Sequence, residues 1–245
     1  MLLKAEFIKM ASTKTVLGLM VGATAVAGLG AASTIMSART EDLGRAVHDQ
    51  PFFMLASINV AMFAIVLGLR TFTDEFRYGS IVPTLLVAPD RRKVVAAKVA
   101  TSAAAGAALA AVAYVVMLAL ALALIGAKGA ESTFVARDVA ALGGAVLAGG
   151  LWAAIGAAVG AIVRHQVAGV VGALVWVLLL ENLGAGLLGD AARFLPGQAA
   201  HGLAQASQAG TILTPAAAAG LLVAYTVVAA GAAMLRMART DVAPT

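Results

Sequence analysis

Residues 73–92 read TDEFRYGSIVPTLLVAPDRR. Three acids and three arginines crowd into these twenty residues, while the chain on either side is apolar enough to sit in lipid. A charged, proline-bounded patch between two long apolar runs marks a turn outside the bilayer, so its placement decides how the rest of the chain is threaded. The apolar run before it, 51–69, is expected to continue as helix through Arg70–Tyr78. Gly79 suits the C-terminal end of that helix because it adopts positive φ without steric cost. Ser80 can cap a new helix start, and Pro83 falls in its first turn, where a missing N–H does little harm. Pro89 breaks this short helix, and Asp90 caps the next, which begins Arg91-Arg92-Lys93 and becomes another long apolar run. The expectation is helix, short transverse helix, helix. The short helix would show Leu85 and Leu86 to a partner surface, with Asp74, Glu75 and Arg77 at its base. A solvated anchoring loop accounts equally well for the arginines, but less well for the apolar segment IVPTLLVA.

The rest of the 245 residues supports a membrane protein. Hydrophobic residues make up 62% of the chain and charged ones 12%, against about 25% charged in an ordinary soluble domain. A helix that crosses a bilayer needs about 20 apolar residues at 1.5 Å each. Six such runs are read, at about 15–36, 51–69, 99–125, 139–163, 167–187 and 215–235. None alternates in the way that transmembrane β-strands do, so the fold class is all-α and polytopic. Alanine and glycine abound, as expected where membrane helices pack closely through small residues; a GC-rich genome accounts for part of the excess. The absence of cysteine excludes disulfides and thiolate metal sites. His48, His165 and His201 have no ligand spacing, so no metal, cofactor or catalytic site is expected in this chain, and no nucleic-acid partner.

The lysines and arginines orient the spans. Lys4, Lys9, Lys14, the six in 70–98, Arg164, Arg236 and Arg239 make twelve on one side, against five on the other: Arg39, Arg45, Lys128, Arg137 and Arg193. The positive-inside rule places both termini and the 70–98 loop in the cytoplasm. The chain then divides into an N-terminal segment 1–14, one transmembrane domain 15–235, and a cytoplasmic tail 236–245. The leader MLLKAEFIKMASTK has the spacing of a short interfacial helix, with Leu3, Phe7 and Met10 on one face and Glu6, Lys9 and Thr13 opposite. Its lysines could rest on anionic lipid headgroups, or it is a simple charged leader to the first span. That span is longer in its apolar core than a signal peptide. No internal repeat or pair of broken spans of the secondary-transporter kind is evident.

The pattern acidic–aromatic–Arg–aromatic–Gly–Ser–Ile, then Thr-Leu-Leu, Pro, Arg and Lys, resembles the loop after the second span of ABC-2 type permeases. VWVLLLENLGAGL followed by RFLPGQAAHGL, at 175–187 and 193–203, resembles the fifth span and external segment of small actinobacterial members. The pattern departs from many such permeases in lacking an Arg near Val82–Pro83. The resemblance implies an ABC-2 (ABCG-like) exporter fold in which the 70–98 loop carries a coupling helix that meets an ATPase subunit. It implies Asp74, Glu75, Arg77, Tyr78, Gly79, Leu85, Leu86 and Arg91 as coupling residues, with a smaller contact near Arg164–Gln166. No GxxxxGK[ST] phosphate loop occurs in the sequence, so this chain is not expected to be an enzyme by itself. ATP and Mg would be held by two copies of a separate ATPase, paired with two permease copies. A homodimer is the simpler assumption, and a heterodimer is allowed.

Polar residues inside the apolar runs are costly and need a reason. Asn59 shares a helical stripe with Phe52, Ala56, Phe63 and Val66. The resemblance makes Asn59 and Phe63 cavity residues, and a hydrogen bond to a neighbouring helix explains Asn59 as well. Trp176, Glu181 and Asn182 lie on the fifth span. Glu181 is read first as a structural cap with Arg193, then as a gate or a ligand for a cationic substrate. The segment 185–214 is too polar to span and long for a plain loop. The family would place short re-entrant helices there, with Pro196-Gly197 as the turn between them. The expected cargo is a hydrophobic or amphipathic compound such as a drug, antibiotic, peptide or lipid. The alternatives are an ATP-independent channel or secondary transporter, and a non-transporting sensor or immunity partner.

Overall fold

The computed structural model describes residues 2–11, 13–38, 50–130, 136–204 and 213–239, with no side-chain description for 2, 4, 11, 50–58 or 136–138. Arg39, Arg45, His48, the 205–212 part of the external segment, the tail beyond Arg239, and the side chains of Phe52, Ala56 and Arg137 lie outside it. All regular structure among the described residues is helical. Helix α1 is Leu2–Ala11, α2 Lys14–Ser37, α3 Gln50–Arg77, α4 Ile81–Val87, α5 Arg91–Ala127 and α6 Ala136–Val163. Helix α7, Gln166–Val175, runs through a π-helical turn, Trp176–Leu180, into α8, Glu181–Leu187. A 3₁₀ turn Gly189–Phe194, α9 (Pro196–Leu203) and α10 (Pro215–Arg239) complete the order.

Among the described residues, five helices are long and apolar enough to cross a membrane: Lys14–Ser37, Arg91–Ala127, Val139–Val163, Gln166–Leu187 and Pro215–Arg239. Helix α3 is described in its side chains only from Asn59 onward, so its apolar half lies partly outside this comparison. Its 28 residues would span about 42 Å, more than the ~30 Å of a hydrocarbon core.

The core lies around α6, whose apolar stretch is 61% buried, against 17–39% for the other four candidates. It packs along α3 on one side and α5 on another, with α10 closing a third. Small residues make this possible. A methyl group on Gly156 or Gly160 would overlap the carbonyls of Ile65 or Leu69, so the α3 and α6 backbones touch. A second, smaller core sits at the charged end of the bundle. There Phe72, Ile81, Val95, Ala158, Ala233 and Met237 pack together.

The turn chemistry of 78–90 follows the sequence with one exception. Gly79 has φ +68°, and Asp90 accepts from the N–H groups of Arg92 and Lys93. These bonds, with the Lys93 ammonium contributing first, hold the Asp90 carboxyl below its usual pKa. Ser80 does occupy the position before α4, but its hydroxyl makes no capping bond. Its carbonyl instead accepts from the Thr84 hydroxyl at 2.9 Å.

Helix α1 sets Leu3 and Phe7 opposite Glu6, but Met10 does not share their face. Leu3, Phe7 and Ile8 are exposed, while Glu6 is buried together with Met10. The apolar stripe does not decide which way the helix turns; the buried partner of Glu6 does.

Candidate functional site

The charged end of the bundle is organised by Lys98, two turns inside α5. Its side chain is 1% exposed, and its ammonium lies 2.7 Å from Glu6 Oε2 on α1 and 2.8 Å from Glu75 Oε1 on α3. It also donates to the Thr71 carbonyl at 3.3 Å and faces the Phe72 ring at 5.4 Å. A buried ammonium is tolerated only when paired in this way. Lys9, on the solvent side, repeats the arrangement at 3.2 Å from Glu6 Oε1 and 2.9 Å from Glu75 Oε1. Burial pulls the Lys9 pKa down, but Glu75 and Glu6 outweigh it and hold the ammonium above the ordinary lysine value. Two lysines and two glutamates form a neutral quartet that ties α1, α3 and α5 together. Lys9 also reaches Thr84 Oγ1 on α4 at 3.5 Å, so the short helix touches the same network.

Helix α4 is anchored by its own apolar edge. Ile81 is 2% exposed in the smaller core, and Val82 and Leu85 pack partly against it. The expected outward pair Leu85 and Leu86 is therefore split, since at α4's position one leucine faces the bundle. Leu86 and Val87 are 79% and 87% exposed, and Tyr78 is 70% exposed beside them. Arg77 stacks over Tyr78 at 5.5 Å and donates to Gln166 Oε1 at 2.7 Å. The α3–α4 corner is thereby tied to the α6–α7 turn. Asp74 accepts from the Arg70 guanidinium one turn earlier, at 2.9 and 3.1 Å.

Three guanidiniums converge where α5, α6 and α10 meet. Arg91 donates to the Met237 carbonyl at 2.9 Å, capping the last turn of α10. Arg164 lies 3.7 Å from the Met237 sulfur and 5.2 Å over the Phe76 ring, and Arg236 is next in sequence. Arg164 has φ +61°, a left-handed conformation unusual for a side chain other than glycine or asparagine. It turns the chain sharply from α6 into α7. Burial first, then Arg236 and Arg91, pull its pKa below the ordinary arginine value.

Residues 2–180, which include the α1, α3, α4, α5 and α7 parts of this end, match the family model described as ABC-2 family transporter protein. The chain belongs to the ABC-2 transporter family. No match was found among curated proteins. It is accordingly a multi-pass protein of the bacterial membrane, and its family is one of membrane components of ABC transporters.

Three of the other residues singled out in this ABC-2 permease, Trp176, Glu181 and Asn182, lie close together between α7 and α8. Glu181 is 6% exposed. Its Oε1 accepts from Trp176 Nε1 at 2.9 Å and from the Gly197 N–H at 2.9 Å. The expected pairing with Arg193 is absent: that guanidinium stacks on Phe194 at 5.0 Å. Glu181 caps α9 instead, satisfying an N–H that the first helical turn leaves open. Pro196 and Gly197 are thus the start of a helix. The turn before it is at Leu195, where the backbone is extended. The π-turn displaces the helix between Trp176 and Glu181, which brings the indole onto its own carboxylate five residues on. Asn182 Nδ2 donates to the Leu178 carbonyl at 2.7 Å, satisfying an acceptor within the same helix. Asn59 and Phe63 are half-buried on α3, and Phe63 packs on Gly22 of α2. The structure brings Trp176 and Glu181 together, with Asn59 and Phe63 on a different helix.

Reading by sequence missed Glu6, Lys9, Lys98 and Thr71 as site residues. A signal was present in the lone acid of the leader and the lone lysine within the apolar start of the third span, since a charge at that depth needs a partner.

Proposed function

We propose that this chain is the transmembrane permease subunit of an ATP-driven exporter, worked by a separate ATPase subunit that docks on α4. The observation that carries the reading is the division of α4 into two edges. One edge is fixed in the small core and touches the Lys9–Glu75–Lys98 network. The other presents Tyr78, Leu86 and Val87 outward. An exposed apolar triplet next to a charged corner has the composition of a protein docking patch. A push on α4 would reach α1, α3 and α5 through one set of ion pairs, and the α6–α7 turn through Arg77 and Gln166. That is a physical path for coupling between a nucleotide site and a transport path.

In this reading α3 is the sixth span, and both termini and the 70–98 loop are cytoplasmic. Two permease copies, most simply identical, pair with two ATPase copies, which hold ATP and Mg. The cargo is hydrophobic or amphipathic and leaves the cell. Asn59 and Phe63 contribute to its path, and the Trp176–Glu181–Gly197 unit holds the external end closed.

The test is Leu86→Glu in the full permease–ATPase complex. A charge on this exposed edge is expected to leave the thermal stability of the permease unchanged. It is expected to abolish co-purification of the ATPase and substrate-stimulated hydrolysis. Undiminished co-purification with undiminished flux would reject α4 as the docking element. Flux that persists without any nucleotide would reject the exporter reading altogether.

A further inference from the structure

A cavity of about 210 Å³ lies beneath α1, between it, the start of α2, α3 and α5. Its polar floor carries three acids, Glu6, Asp74 and Glu75, and three bases, Lys9, Arg70 and Lys98. Its apolar wall is made by Met10, Val16, Leu19 and Leu67. The charges balance, so a ligand with net charge of either sign would leave an uncompensated ion. The volume falls below the ~300–1,000 Å³ of sites that enclose a drug-sized molecule. It suits a headgroup instead.

One atom of the floor is unfinished. The Glu75 side chain is 10% exposed, its Oε1 holds Lys98 and Lys9, and its Oε2 is buried with no hydrogen-bond partner. A buried carboxylate oxygen left without a donor is unfavourable. The last torsion of a glutamate is soft, so a twist of the carboxylate can present Oε2 to the cavity, with Oε1 loosening its hold on the lysines as it turns. The missing group is an N–H or O–H donor, and a charged one would bind most strongly. The outward face of α1 supplies the setting. Leu3, Phe7 and Ile8 are exposed over this cavity's roof helix, as in a helix lying at the membrane interface. The cavity is then at headgroup depth.

We propose that this cavity binds the headgroup of a zwitterionic phospholipid with a primary ammonium, which donates to Glu75 Oε2. The phosphate lies toward the Lys9 and Arg70 side of the floor, and the acyl chains follow Val16 and Leu19 out along α2. A bound lipid of this kind sits against the ion quartet that ties α1 to α3 and α5, so the membrane's headgroup composition would act on the element that holds α4 in place.

The headgroup chemistry gives a sharp test that needs neither ATP nor a partner. The full chain is placed in nanodiscs or mild detergent with phosphatidylethanolamine, phosphatidylcholine or phosphatidylglycerol, and retained lipid is counted by native mass spectrometry. The quaternary ammonium of phosphatidylcholine cannot donate a hydrogen bond. Phosphatidylethanolamine is therefore expected to bind about tenfold tighter than phosphatidylcholine, since a hydrogen bond to a charged group is involved. Phosphatidylglycerol is expected to bind no better than phosphatidylcholine. Soluble phosphoethanolamine should compete weakly, because it leaves the apolar wall empty; competition as strong as the lipid's would make the ligand a free headgroup and overturn the lipid assignment. Glu75→Gln puts an amide N–H₂ in place of one acceptor and is expected to erase the ethanolamine preference. Val16→Trp fills the apolar wall without touching an ion pair and should erase it too. Equal retention of all three lipids by the native chain, or an ethanolamine preference that survives Val16→Trp, would sink the proposal.

Discussion

Replacing Lys98 by methionine tests the ion quartet most directly, because the change keeps the length of the stem and removes only the charge. The native ammonium lies at 2.7 and 2.8 Å from two carboxylates whose side chains are 4% and 10% exposed. Without it, Glu6 and Glu75 share only Lys9, which is half exposed. Breaking a buried pair from one side costs about 3–5 kcal/mol, and with two carboxylates affected the upper half of that range applies. That is a large fraction of the ~5–15 kcal/mol that holds a typical domain together. At about 2–4 °C per kcal/mol for a chain of this size, the melting temperature should fall by about 10–20 °C. The intrinsic fluorescence of Trp152 and Trp176, followed on heating the protein in nanodiscs, reads this fall. The double variant K98M/E75Q removes one charge of each sign and leaves the Glu6–Lys9 pair intact. It should recover more than half of the loss, a coupling of about 2 kcal/mol, well beyond the ~0.5 kcal/mol scatter of independent sites. A K98M fall of less than about 3 °C, or a double variant as unstable as the two single losses added together, would refute the argument that these four side chains act as one neutral unit.

Two further substitutions probe the rest of the frame. Gly156→Val sets two methyl groups against the Ile65 carbonyl, in backbone contact with α3. Overpacking there is expected to cost about 3 kcal/mol or more and to lower the yield of folded protein from membranes, whereas Gly143→Val, where a Cβ meets nothing, should be silent in the same assay. Trp176→Phe removes one of the two donors to the buried Glu181 carboxylate. It should cost about 1–3 kcal/mol in thermal stability, while ATPase co-purification at the opposite end stays unchanged. A loss of co-purification would show that the two ends are not separable in this way.

The helix boundaries at the charged end were legible because backbone chemistry marks them. Gly79 at positive φ, Pro89 after α4 and Asp90 beneath the first turn of α5 are local signals, each settled within a few residues. Side-chain direction was less legible, for a physical reason. The stripe Leu3, Phe7, Met10 names an apolar face but not what that face meets, and in a membrane the outside is apolar too. The polar residue therefore sets the orientation: Glu6 turns inward to reach Lys98, 92 positions away. The same inversion governs Glu75, which looks like a surface contact in the sequence and is an internal one in the fold. The π-turn at Trp176–Leu180 carries no period of its own. It shows in the indole of Trp176, which reaches the Glu181 carboxylate five residues on. Leu85 and Leu86 are adjacent and equivalent by composition, and only the small core beneath α4 separates them.

An apolar replacement of a buried ion pair is often as stable as the pair itself, so stability alone does not explain why charges are kept at this end. The seam between α3 and α6 offers a contrast. Glycine contacts already fix α6 on α3, since a slip of one turn would put Trp152 at the Gly156 contact or Arg164 at the Gly160 contact, but α1 has no glycine to seat it. Ion pairs at 2.7–3.2 Å tolerate no such slip, because a shift of one turn, 5.4 Å, breaks every one of them. The quartet thus fixes the register of α1 on α3 and α5 at the end where α4 is held. On this view the K98M/E75Q variant separates two properties. It regains stability because its charges balance, yet α1 and α3 no longer share Lys98, so displacement of α4 should reach α5 less faithfully. Stability restored without restored coupling is the combination that a register device requires and a merely stabilising salt bridge does not.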